Sequence, residues 1–379
     1  MQKFGFITVL NKSSLDKSST HSFILNVLRG IAALQVCVHH FRNHFFPSFS
    51  DVVDPGFIFK LFAFATGFAN HAVMIFFAIS GWLVGGSVLN NIRKNNFAIN
   101  YAIDRISRLW TVLIPVFIIS LLVVLAIQNI SFLYKDVFMG SPSIGALTFI
   151  GNLLGLQTIF IDRYAANYPL WSLANETAYY LTFPLLVGLF VPAFSFKVKA
   201  VLCAALLLVL GYLPTEIIIF ASVWLLGALF SRVQIQTNLC GKFALLMLSL
   251  GFMLWGRYKN MHDDIYIILL YIVPLMAYLS ANLTDTPTAI KQNKLLQKVV
   301  HFLSEISFSL YVLHVPFIYL FQSFYTGVTG QKLLNLNVNG ALVFAAMIVL
   351  TLLFTYIIYR LFENQHVPLR QYLKHKILK

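Results

Sequence analysis

Charge is what this chain has least of. Only 11% of its 379 residues are Asp, Glu, Lys or Arg, and 13 are acidic, whereas an ordinary soluble domain carries roughly 25% charged residues. A chain this poor in charge has too little polar surface to face water on all sides. That excludes a soluble globular architecture and makes lipid the solvent that most of its surface meets. Cysteine is equally scarce. Cys37, Cys203 and Cys240 lie in or beside apolar segments and form no CxxC pair, so neither a disulfide framework nor a zinc site is supported. No His/Cys/Asp cluster has metal-ligand spacing either. The first long apolar run begins near Phe23 and contains Arg29. It therefore lacks the uninterrupted core of a cleaved leader and reads as a retained first span. There is no repeat of fixed period and no polar block of the size of an attached catalytic domain, so any chemistry belongs to the helical bundle or its faces.

What the chain does have is apolar surface. Hydrophobic residues make up 59% of it, with 36 Phe and 17 Tyr, types that suit lipid-facing and interfacial positions. The formal net charge is +14. In a soluble protein that would suggest a nucleic-acid partner. Here the basic residues sit in short loops between apolar runs and act as orientation determinants, so no nucleic acid is expected, and membrane lipid is the partner the composition implies. Nothing in the sequence points to an oligomeric state.

Runs long enough to cross a bilayer, roughly 17–25 residues, occur at 23–42, 64–88, 109–128, 172–193, 199–212, 214–231, 242–257, 264–281, 303–325 and 339–361. The segment 145–161 is short and carries Gly145, Gly151 and Gly155. If it does not cross, 19 of the 27 Lys and Arg fall on the side of both termini and 7 on the other, with Arg29 inside the first span. That split obeys the positive-inside rule. The expectation is thus an all-α transmembrane bundle of about ten spans with both termini in the cytoplasm. A tail at 1–22 precedes the membrane domain at 23–361, and a basic tail follows at 362–379.

Ionisable groups inside spans are costly and mark functional candidates. Arg29 and His40 are 11 residues apart on the first span. That is three turns plus about 20°, so they share a face about 16 Å apart along the axis. Each alone reads equally as a snorkelling or interfacial residue; their shared face favours function. His39 points about 100° away. Ser80 and Gly81 permit close helix approach. Arg105 and Arg108 are neighbours on a helical face and could grip phosphates, although for that pair alone positive-inside anchoring is the favoured account. Glu176 near the start of its span also fits the helix macrodipole. His314, two residues before Pro316, reads as either a packed or a functional histidine, and Pro316 is expected to kink its helix.

Taken in order, these pieces resemble the membrane-bound acyltransferase-3 family, the O-acetyltransferase type that modifies bacterial surface sugars. They are Leu28-Arg29-Gly30 leading to His40, Phe76-Phe77 to Ser80-Gly81, Arg105 with Arg108, Leu170-Trp171-Ser172-Leu173 with Glu176, Ser309-Leu310-Tyr311 with His314, and Glu363 followed by Pro368 and Arg370. The resemblance covers about residues 23–371. It departs from relatives at Ala174-Asn175 before Glu176, which bears on the acceptor. It implies acyl transfer, with acetyl first among the candidate groups, from an acyl-CoA donor to a hydroxyl of a cell-surface carbohydrate, at a bacterial inner membrane and with no tightly bound cofactor. On that reading His40, with Arg29 and Glu176, is the catalytic set. Arg105, Arg108 and Ser80 hold the donor, whereas Trp171 and His314 meet the acceptor. The rival expectation is a transporter or flippase for a lipid-linked sugar, which would also bury Arg, His and Glu.

Overall fold

The computed structural model describes residues 2–13, 19–283 and 293–378. Two short strands, β1 (Gln2–Phe4) and β2 (Ile7–Val9), precede helix α1 (Thr20–Phe45). Next come α2 (Phe57–Ala65), α3 (Ala69–Ser80), one π-helical turn at Gly81–Gly85 and α4 (Gly86–Asn91). The chain continues with α5 (Phe97–Asn129), α6 (Ala146–Leu153), α7 (Trp171–Leu189), α8 (Phe196–Tyr212) and α9 (Thr215–Phe230). Strand β3 (Val233–Ile235) follows, then α10 (Leu239–Tyr258), α11 (Ile265–Ala281), α12 (Lys294–Thr329), α13 (Val338–Leu361) and α14 (His366–Ile377).

Six helical stretches are long and apolar enough to cross a membrane: Thr20–Phe45, Phe57–Asn91, Phe97–Asn129, Leu239–Tyr258, Lys294–Thr329 and Val338–Ile377. Helices α9 and α11 are apolar but shorter. The fold is therefore all-α and of membrane type, as the composition demands. Helix α6 has eight residues, about 12 Å at 1.5 Å per residue, well short of the ~30 Å hydrocarbon core. Helix α12 runs through Pro316 as one element. Large apolar side chains on α8, α10 and α13, among them Leu208, Phe243 and Leu342, are exposed, as a lipid-facing surface requires.

One departure from the all-α expectation lies in the segment read as a polar tail, 1–22. Gly5, at φ +60°, takes the first central position of a two-residue turn, where a positive φ matches the strand twist. It pairs Phe4 with Ile7. Strand β2 then pairs antiparallel with β3, Ile7 opposite Ile235.

The chain divides into two compact units. The first comprises Met1–Ile31, Asn70–Ala102 and Asn175–Ser304. In it the π turn packs directly on α9. A Cβ on Gly81 would run into the carbonyl of Trp224, and one on Gly227 into that of Ala78. Small residues there let two backbones touch, the contact on which helix association in lipid depends.

The second unit comprises Ala32–Ala69, Ile103–Ala174 and Glu305–Lys379. One of its cores joins α5, α12 and the long connection between α5 and α7: Val123, Ile127, Leu133, Val137, Ala166, Val315 and Tyr319. Each of the Val, Ile and Leu side chains contributes on the order of 1.5–3 kcal/mol when fully buried. The connection starts from a capped end. The Lys135 ammonium donates to the carbonyls of Ile127 (2.5 Å) and Ile130 (2.6 Å), satisfying acceptors that a helix C-terminus leaves open.

Candidate active site

A cluster of imidazoles gathers in the second unit. His39, His40 and His44 stand on the last turns of α1, and His314 stands on α12. The rings of His40 and His314 are stacked, 5.2 Å between centroids and 12° between planes. Tyr168 meets His40 edge-on at 4.8 Å and 77°, and lies parallel to His44 at 6.2 Å.

Tyr168 is delivered by a strained turn. Ala165 and Ala166 are both left-handed, at φ +52° and +55°, a conformation that costs an L-residue roughly 1–2 kcal/mol. Two buried hydrogen bonds hold it. The Tyr319 hydroxyl donates to the Ala166 carbonyl at 2.9 Å, and the Asn167 amide donates to the Val312 carbonyl at 2.8 Å. Both anchors come from α12, the helix that carries His314, so the loop's phenol and the helix's imidazole are held in one frame. Burial first, then the neighbouring Tyr319, Cys37 and Tyr311, pushes the Tyr168 phenol well above its ordinary range, so it stays protonated.

Hydrogen bonding fixes most of the tautomers, because a carbonyl oxygen only accepts. His39 Nδ1 donates to the Thr66 carbonyl at 2.9 Å, and its Nε2 accepts from the Asn43 amide at 2.9 Å. His39 is fully used in packing. His314 Nδ1 donates to the Leu310 carbonyl at 3.1 Å, leaving Nε2 as a buried acceptor with no partner among the described residues. His40 is different: neither of its nitrogens forms a hydrogen bond with any described residue. It is half-buried and faces a cavity of about 430 Å³. Asn43, His44, Tyr168 and Gln322 line that cavity with it, and Asp136 and Lys332 stand at 3.6 Å from each other on the same wall.

Of the arginine pair, Arg108 is committed. Its Nη1 lies 2.9 Å from Glu363 Oε1, and Glu363 is 1% exposed. The other carboxylate oxygen accepts from the Ser309 amide at 3.2 Å and the Ser309 hydroxyl at 2.6 Å. The Phe308 ring lies under the guanidinium at 5.6 Å. Arg105 is half-buried one turn earlier on α5. Immediately before Arg105, Asp104 forms ion pairs with Lys374 at 2.7 Å and Arg370 at 3.8 Å, both on α14. Trp171 is half-buried at the start of α7 and is not part of the cavity lining.

The remaining candidates belong to the first unit. Arg29 is half-buried on α1. Ser80 and Glu176 are joined by a hydrogen-bond chain. The Trp224 indole donates to Ser80 Oγ at 3.2 Å, Ser80 Oγ is 3.2 Å from the Tyr180 hydroxyl, and that hydroxyl donates to Glu176 Oε2 at 3.2 Å. Since indole only donates, the proton order runs from Trp224 to Glu176.

A model of the acyltransferase domain matches residues 23–360, nearly the whole chain. The chain belongs to the acyltransferase 3 family. It is also similar to an uncharacterized protein of Haemophilus influenzae, 34% identical over 150 residues, which cover 38% of this chain and 59% of that protein. The match thus spans less than two thirds of the relative's length. No solved structure matches the chain.

Within this acyltransferase 3 chain, the structure joins two of the residues singled out from sequence, His40 and His314, across 274 positions. It also adds four that were not singled out as site residues. Tyr168 and His44 flank His40, Gln322 holds His44, and Glu363 holds Arg108. The i, i+4 spacing of His40 and His44 was a usable signal. Gln322 carried none, and Glu363 stood only in the C-terminal part of the resemblance with nothing to tie it to Arg108, because each reaches its partner only through tertiary contact.

Proposed function

We propose that this membrane protein is an acyltransferase that moves an acyl group, acetyl first among candidates, from acyl-CoA to a hydroxyl of a cell-surface carbohydrate. It would sit in a bacterial inner membrane with about ten spans and both termini in the cytoplasm. The observation that carries the reading is His40, an imidazole without a hydrogen-bond partner among the described residues, stacked on His314 and open to a cavity lined by polar groups. A hydroxyl in that cavity needs a base, and a half-buried imidazole with free nitrogens is the group chemically suited to serve.

In the proposed reaction His40 takes the acceptor's hydroxyl proton while the oxygen attacks the thioester carbonyl. The new C–O bond forms, the C–S bond breaks, and the proton passes from His40 to the leaving thiolate. As His40 takes up positive charge, the parallel His314 ring and the edge of Tyr168 keep its plane fixed, which preserves the attack geometry. Arg105 and Arg108 supply positive charge for the donor's phosphates. Within the first unit, Ser80 and Glu176 stay linked through the Tyr180 hydroxyl. The charge balance of the loops and the family match support the reading.

The test compares ester-linked acetate released from surface polysaccharide of cells carrying the wild type, His40→Ala or no copy. Loss of a general base costs about 10²–10⁴-fold, so acetate should appear with the wild type alone. Equal acetate in all three strains would refute acyl transfer by this site.

A further inference from the structure

His44 carries a second unfilled acceptor beside His40, and its chemistry follows from one amide. Gln322 Nε2 donates to the backbone carbonyl of His44 at 3.1 Å, and a carbonyl can only accept. That settles which way the amide points: its oxygen faces His44 Nδ1, at 3.0 Å. Nδ1 therefore carries the hydrogen, and Nε2 presents a lone pair. This Nε2 is buried and has no hydrogen-bond partner among the described residues. The ring is held flat against Tyr168 and edge-on to Tyr319 at 5.8 Å. Its orientation is thus fixed from three sides, by Gln322, Tyr168 and Tyr319.

A buried acceptor without a donor costs about 1–3 kcal/mol, so something that enters the cavity should supply one. Three nearby protein donors are engaged elsewhere: the Asn43 amide serves His39, the Gln322 amide serves the main chain, and Lys332 pairs with Asp136. The Tyr168 hydroxyl, also in the cavity wall, makes no hydrogen bond to His44 Nε2. A ligand O–H or N–H is left. His40 and His44 are four residues apart on α1, which puts their Cβ atoms about 5–6 Å apart on one face. A ligand whose first hydroxyl gives its proton to His40 therefore brings a hydroxyl on the neighbouring carbon within reach of His44 Nε2.

Resting on the acyl-transfer reading above, we infer that His44, oriented by Gln322, binds the hydroxyl next to the one acylated, so that the enzyme selects acceptors bearing two hydroxyls on adjacent carbons. His40 carries the proton; His44 positions the acceptor and sets its class.

The test uses membranes containing the full chain, labelled acetyl-CoA, and two small acceptors that differ in one donor: ethylene glycol and 2-methoxyethanol. The readout is the ratio of ester formed from the glycol to ester formed from the ether, at equal concentration. Comparing that ratio between proteins cancels the intrinsic reactivity of the two alcohols. His44→Phe keeps the aromatic contacts with Tyr168 and Tyr319 and removes the acceptor. Its ratio should fall about tenfold below that of the wild type, the worth of one such hydrogen bond. Gln322→Met frees the tautomer without touching the ring and should give an intermediate ratio. It keeps the test decisive if His44→Phe fails to fold. The same ratio in all three proteins, or acylation of neither alcohol by the wild type, would overturn selection of a diol. Absence of His40-dependent ester in whole cells would instead overturn acyl transfer itself, so the two failures are told apart.

Discussion

The strongest quantitative prediction concerns Glu363. Its carboxylate is 1% exposed; one oxygen forms an ion pair with Arg108 at 2.9 Å and the other accepts from the two donors of Ser309. In Glu363→Gln the side chain keeps its shape but can no longer serve both partners. If the amide oxygen stays with Ser309, the NH₂ group faces the Arg108 guanidinium, donor against donor. If the amide flips, NH₂ meets the Ser309 N–H. Breaking a fully buried ion pair costs about 3–5 kcal/mol. The Arg108 side chain is 30% exposed, and water screens part of that loss, so about 2–3 kcal/mol is expected. A domain of 150–250 residues shifts by roughly 2–4 °C per kcal/mol. For a longer chain, with its larger unfolding entropy, half of that gives a fall of about 3–5 °C. The assay is thermal unfolding of the detergent-purified protein at one fixed scan rate, because unfolding of such proteins is a rate-governed quantity. A cycle with Arg108→Ala and the double variant isolates the pair, and a coupling of at least about 1 kcal/mol is expected for groups in contact. In the same samples the apparent KM for acetyl-CoA should rise, because the guanidinium loses the carboxylate that aims it. An apparent Tm within about 1 °C of wild type, with additive single variants and an unchanged donor KM, would refute the argument that Glu363 holds Arg108.

Two further outcomes follow from the geometry. His314 is stacked on His40, so His314→Phe, which keeps a ring in that place, should retain at least about tenfold more acyl transfer than His314→Ala, given the 10²-fold sensitivity of such reactions to misplacement; equal losses would show that the imidazole nitrogens, not the stacking, are what matter. For the topology, single cysteines at Lys197 and Lys259, introduced after replacing the exposed Cys203 and Cys240 by Ala, should react from opposite sides of the membrane with an impermeant thiol reagent, Lys259 from outside the cell; labelling of both from one side would overturn the ten-span arrangement.

The membrane class was legible because hydropathy is a local property and lipid enforces it residue by residue. The helix ends were less so, and for a physical reason. Helix α5 begins at Phe97 and α12 at Lys294, well before their apolar stretches, because a helix does not stop where polarity rises; it stops where capping or packing stops it. The three-residue strands were too short for any alternating pattern to register, and β2 pairs with β3 across more than 220 residues. Among candidate site residues, the intrahelical spacing of Arg29, His40 and His44 was readable at 3.6 residues per turn. The pairings of His40 with His314, His44 with Gln322 and Arg108 with Glu363 were not, since each spans more than 250 positions and depends on how helices pack. Arg108 shows the consequence. Its spacing from Arg105 suggested a phosphate clamp, but half the story is a carboxylate contributed from just beyond α13.

What separates His40 from the other imidazoles of the cluster is the manner of its restraint. His39, His44 and His314 are each oriented by a hydrogen bond through Nδ1–H, which also fixes which nitrogen can accept. A base oriented in that way is ready to take a proton but has only one nitrogen with which to take it and give it back. His40 is held by ring contacts alone, stacked on His314 and met edge-on by Tyr168 and His39. Such contacts fix the ring plane without choosing a tautomer. In the proposed reaction this matters, because the proton leaves an acceptor hydroxyl and ends on a thiolate, two groups that need not approach the same nitrogen. A ring held by its faces can accept at one nitrogen and donate from the other without breaking a hydrogen bond to the protein. On the same inference His44, with its tautomer fixed by Gln322, does the complementary work of holding the second hydroxyl, for which a permanent lone pair in a permanent direction is the better instrument.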